Sequence, residues 1–85
     1  MPELDLNLLR VLAALDDRRS VSAAALMLGR SQPAVSAALG RLRAFFDDPL
    51  FLRTGNVMAP TPRGAVAAKG ARTVLERVSS EIVSL

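Results

Sequence analysis

The chain has 85 residues, of which 51% are hydrophobic: enough for one small domain with a limited core. It has no cysteine and no histidine, which excludes disulfides, thiolate or imidazole metal sites and histidine-based catalysis, so no cofactor is expected. Net charge is +3, and no apolar run approaches the roughly 20 residues that span a bilayer, so a cytoplasmic protein without a membrane partner is expected.

Asp5 is suited to cap a first helix running to about Arg18, with Leu8, Leu9, Leu12 and Leu15 on its inner face. Asp16-Asp17-Arg18-Arg19 closes it as a polar connection. Ser20 or Ser22 then caps a short helix over residues 23–28, whose Ala23-Ala24-Ala25 run permits close helix contact, and Gly29 ends it by taking positive φ. Ser31 or Gln32 opens a third helix, with Pro33 in the first turn, where a missing N–H costs nothing. This helix runs to about Phe46, and Asp47-Asp48-Pro49 breaks it. Leu50–Arg53 and Val57–Ala59, joined by Thr54-Gly55-Asn56, form a small hairpin.

Thr61-Pro62 is an N-cap and N1 pair for a fourth helix filling most of residues 62–85, whose start Gly64 and Gly70 each weaken by roughly 1 kcal/mol relative to Ala. Along it, Ala71, Val74, Leu75, Val78, Ile82 and Leu85 recur at helical steps. The first half of this stripe is expected to dock on the domain's own core. The second half overruns it, and a helix from a second copy explains it best, so dimerisation is assigned to Val74, Leu75, Val78, Ile82 and Leu85. The pattern is still running at Leu85, and the chain is expected to be a piece of a longer protein.

The third helix carries the most information. Val35, Leu39, Leu42 and Phe46 form an apolar stripe, while the opposite edge carries Gln32, Pro33, Ser36, Ala37, Gly40 and Arg41, with no long side chain at its middle. Such an edge suits the DNA major groove. Residues 30–72 hold seven bases against two acids, and ten of the eleven bases in the chain are arginine, which forks onto phosphates and guanine edges. Ala25, Gly29 and Val35 stand at helix-turn-helix spacing, which puts the N-terminal part of the third helix against base edges and makes the hairpin a wing carrying Arg53. Leu9, Leu12, Leu28, Val35, Leu39, Leu42, Phe45, Phe46 and Phe51 are assigned to packing.

At these residues the chain resembles the LysR-type transcriptional regulators. The matching segments are Leu4-Asp5-Leu6-Asn7-Leu8-Leu9, Ser31-Gln32-Pro33-Ala34-Val35-Ser36, Arg41-Leu42-Arg43, Asp48-Pro49-Leu50-Phe51, Arg53-Thr54-Gly55 and Pro60-Thr61-Pro62-Arg63. They cover about residues 4–85 without gaps, and the two ends are most similar to the branch of nodulation and aromatic-degradation regulators. The resemblance implies a mainly α fold: a winged helix-turn-helix over 4–61, with the helix-turn-helix at about 21–40 and the wing at about 50–59. It further implies a linker and dimerisation helix over 62–85, pairing antiparallel in a homodimer that can reach a tetramer at full length. A small-molecule effector would act only through a C-terminal domain absent from this chain. Ala37, Ala38 and Gly40 depart from the family by being minimal, and Arg30 stands where an apolar residue is usual.

The expected DNA-binding residues are Ser31, Gln32, Pro33, Ser36, Ala37, Arg41 and Arg53. Gln32 is assigned direct base readout; Pro33 and Ala37 meet thymine methyls; Ser36 meets phosphate or a base edge; Arg41 and Arg53 meet phosphate or the minor groove. Ser31 is read both as a cap and as a contact, Arg43 as a phosphate ligand or a partner of Asp47, and Arg63 as a backbone contact or a solvated side chain. The expected function is sequence-specific binding of double-stranded DNA at dyad-related half-sites by a dimeric bacterial regulator. Two alternatives remain, a helical protein-interaction module and a non-specific architectural DNA-binding protein. An enzyme is the weakest reading, because only Asp16-Asp17 and Asp47-Asp48 remain as catalytic groups and turn chemistry explains both pairs.

Overall fold

The computed structural model describes residues 3–83, in the order α1 (Leu6–Arg18), α2 (Val21–Leu28), α3 (Gln32–Phe46), β1 (Phe51–Thr54), β2 (Val57–Pro60) and α4 (Pro62–Val83). Local chemistry sets the boundaries. The side chains of Asp5, Ser20 and Ser31 accept from the amides of Leu8, Ala23 and Ala34, satisfying donors that a helix start leaves open. Ser20 is therefore the α2 cap, and α2 begins two residues before the expected start. Val21 is half-buried against the core, and this docking favours the earlier serine.

Each of the first three helices ends on a left-handed residue. Gly29, at φ 65°, does so freely, and the amide of Arg30 reaches back to the Ala25 carbonyl at 2.9 Å. Arg19 (φ 57°) and Asp47 (φ 51°) take the same conformation without being glycine, and their amides bond the carbonyls of Leu15 and Arg43.

α1 is the centre of the packing, touching α2, α3, α4 and β2. Leu8, Leu9, Val11, Leu12, Ala14 and Leu15 are buried along it, and Val35, Ala38, Leu39 and Leu42 meet them from α3. Leu50 and Phe51 plug the base of the hairpin, while Ala68 and Ala71 bring α4 close. The hairpin is antiparallel with Arg53 opposite Met58, and Gly55 at φ 63° opens its two-residue turn. The Met58 amide donates to the Arg19 carbonyl at 2.9 Å, tying the hairpin to the α1–α2 connection.

Two expectations need correction. Phe45 is not core: it is 38% exposed and meets Phe46 edge-on, with ring centroids 5.0 Å apart. Neighbours on a helix point about 100° apart, and Phe46 is the one that continues the Val35, Leu39 and Leu42 stripe, which turns Phe45 to its margin. Gly64 is more than a weak point in α4. It is buried, and a Cβ there would fall on the Leu50 carbonyl oxygen and 2.8 Å from its carbon, so α4 can approach the hairpin base only with glycine at this position. Gly70 has open space around it.

Candidate nucleic-acid interface

The α3 stripe faces inward as its spacing requires, with Phe46 half-buried behind Val35, Leu39 and Leu42. The rotation that buries these residues leaves Gln32, Pro33, Ser36, Ala37, Gly40 and Arg41 exposed along one edge. A Cβ built on Gly40 meets nothing within 4 Å, so the backbone itself is open there. Ser31 keeps its cap bond and remains exposed at the same end. Arg53 is exposed on β1, and Arg30 is exposed just before α3. Among the described residues, the side chains of Arg30, Arg41 and Arg53 are in no ion pair or hydrogen bond, so their charge is available to an outside anion.

Other arginines are engaged within the fold. Asp16 bridges Arg19 at 3.0 Å and Arg72 at 2.6 Å, which removes Arg72 from the free basic surface. Arg63 donates to the Phe46 carbonyl at 3.1 Å. Arg43 is not paired with Asp47. Its Nε and Nη2 donate to the carbonyls of Pro49 and Phe51, both at 2.8 Å. The αL turn at Asp47 carries the chain around so that these carbonyls return beside the last turn of α3.

One joint fastens the end of α3 and the base of the hairpin to α4. Oδ1 of Asp48 accepts from the Leu50 amide at 2.7 Å and from the Thr61 hydroxyl at 2.8 Å, while Thr61 Oγ1 accepts from the Gly64 amide at 2.9 Å. The Thr61 amide in turn donates to the Leu50 carbonyl at 2.9 Å. The amide of Leu50 and the hydroxyl of Thr61 hold the Asp48 carboxyl below its ordinary value of 3.8; partial burial opposes them and the Arg63 charge adds to them. Only the local part of this joint, Thr61 as a cap, was visible in the chain order.

Of the residues assigned to dimerisation, Leu75 packs on the core, Val78 is half-buried, and Val74 and Ile82 are 43% and 64% exposed. Leu75, Val78 and Ile82 line an open groove against Leu6, Asn7 and Arg10 of α1. Leu85 lies outside the described residues. No helix among the described residues is long and apolar enough to cross a membrane.

Residues 6–65 match the family model described as the bacterial regulatory helix-turn-helix protein, lysR family. The chain belongs to this family. This LysR-family domain is 48% identical over 81 residues to nodulation protein D 2 of Sinorhizobium fredii, covering 95% of the chain and 26% of that relative. Among solved structures, it matches a probable transcriptional regulator, PA0477 of Pseudomonas aeruginosa, at TM-score 0.87 and 47% identity, over 93% of this chain and 26% of that one. It also matches BenM_DBD in complex with benA site 1 DNA at TM-score 0.89 and 25% identity, over 95% and 91% of the two chains. The LysR-family chain thus spans about a quarter of the full-length relatives it matches.

Proposed function

We propose that this chain is the sequence-specific DNA-binding domain of a dimeric bacterial transcriptional regulator, acting in the cytoplasm by binding alone. α3 enters the major groove, Gln32 reads a base edge, Pro33 and Ala37 lie against thymine methyls, and Ser31 and Ser36 reach phosphate or base edges. Arg41 and Arg53 meet the backbone or the adjoining minor groove. The observation that carries this reading is the uncovered edge of α3. A helix with four residues buried behind it presents only small or polar groups along the edge from Gln32 to Arg41, beside three arginines with unpaired side chains. A protein-binding helix would present large apolar anchors there instead. The DNA-bound neighbour of the same fold supports the docking.

Two copies would join through Val74, Leu75, Val78, Ile82 and Leu85, setting the separation of dyad-related half-sites, and an effector would act through a C-terminal domain outside this chain. Selection of bound duplexes from a randomised pool tests the proposal. The expected result is a dyad-symmetric site, with Gln32→Ala relaxing the choice of base at one position and weakening binding by about 1–3 kcal/mol. Tight but unenriched binding would identify an architectural protein, and no binding at low salt a protein-interaction module.

A further inference from the structure

The wing is a four-residue hairpin on each side of a two-residue turn, too small to hold a direction by its own pairing. Arg53, the free cation it carries, is useful only if the hairpin is fixed relative to α3. The bond from Met58 to Arg19 secures β2. On the β1 side the corresponding tie is Arg43. Its two N–H groups reach the carbonyls of Pro49 and Phe51, which flank the buried Leu50, itself held at φ 63°. The backbone carbonyl of Arg43 also accepts from the Asp48 amide at 3.2 Å. A planar fork bound to two carbonyls fixes orientation as well as distance, which a single ammonium does not do.

We propose that Arg43 is a positioning residue for DNA binding and not a DNA ligand: it locks the first strand of the wing to the end of α3, so that Arg53 and the α3 edge engage one duplex together. This role rests on the DNA-binding reading above. Arg43 lies among the cations that a charge count assigns to phosphate, yet its donors face the protein's own backbone.

The test compares Arg43→Lys, which keeps the charge and loses the fork, with Arg43→Met, which loses both. Affinity for the selected duplex is measured across a salt titration. Amide hydrogen exchange on the free protein reports the wing directly. Both variants are expected to weaken binding alike, by about tenfold, the scale of a lost charge-assisted hydrogen bond. Arg53→Ala, costing about tenfold in the wild-type background, should cost less than about threefold in Arg43→Lys, because the wing no longer holds Arg53 in place. Amides of residues 51–59 should exchange faster, with those of α1 and α3 unchanged. A role confined to global stability would speed exchange everywhere and leave the Arg53 cost intact. The proposal is overturned if Arg43→Lys retains wild-type affinity while Arg43→Met loses about 0.9 from the salt slope, the signature of a phosphate ligand. It is equally overturned by an unchanged Arg53 cost or unchanged exchange in the wing. Wild-type protein that binds no duplex at low salt refutes the DNA reading itself, and does so without any variant.

Discussion

Gly64→Ala is expected to destabilise the domain strongly, although helix propensity argues the reverse. Alanine inside a helix is favoured over glycine by about 1 kcal/mol. At position 64 the new Cβ would overlap the Leu50 carbonyl oxygen and sit 2.8 and 3.1 Å from the carbonyl carbon and Cα of that residue. These are backbone atoms of a buried residue, so no rotamer change relieves the clash. α4 must retreat from the hairpin base, which costs about 1–3 kcal/mol as overpacking. The retreat also stretches the bond from the Thr61 amide to Leu50, worth about 1 kcal/mol. Against the propensity gain, the net loss is about 1–3 kcal/mol, or a fall in melting temperature of roughly 5–20 °C for a domain of this size. Gly70→Ala is the control on the same helix, because nothing lies within 4 Å of its added Cβ. It should keep its propensity gain and melt at or above wild type. Thermal unfolding followed by circular dichroism separates the two. If Gly64→Ala melts at or above wild type, the close approach of α4 to Leu50 is not real.

Acid should loosen the joint at Asp48. Its carboxyl titrates below the ordinary 3.8 in the folded chain, so its contribution is fully present above that value and is lost as pH falls through the lower folded value. Melting curves recorded below about pH 4 should show Asp48→Asn losing less stability with falling pH than wild type does; parallel slopes would remove Asp48 from the account. At the far end of α4, Val78→Glu should shift the protein from dimer to monomer in analytical ultracentrifugation with little change in its fold, since Val78 is only half-buried within one copy. A wild-type protein that sediments as a monomer at high concentration would count against pairing through this face.

What the chain order revealed and what it hid divide along the range of the interactions. The caps at Asp5, Ser31 and Thr61 were readable because each bonds an amide three residues away. The buried stripe of α3, and therefore its exposed edge, followed from a period that needs no knowledge of the partner. Gly64 was misjudged because its constraint comes from Leu50, fourteen residues earlier in the chain, and is felt only once the hairpin folds back. Arg43 was read as a phosphate ligand or, by the usual helix spacing, a partner of Asp47, but Asp47 leaves the helix in the αL conformation and the fork finds carbonyls instead. Phe45 was counted with the core on hydrophobicity alone, whereas its angular position beside Phe46 places it at the rim.

The separation between the two sides of α3 has a consequence for change over time. Positions 36, 37 and 40 are exposed, and the space beyond Gly40 is empty, so larger or charged side chains there disturb no buried neighbour. Exposed substitutions of this kind shift stability by only about 0.5 kcal/mol either way. Under the proposed function, the scaffold can therefore acquire a new target preference by substitution along one edge of one helix, while the residues that keep it folded stay as they are. Recognition and folding are written in different letters of the same fifteen-residue helix.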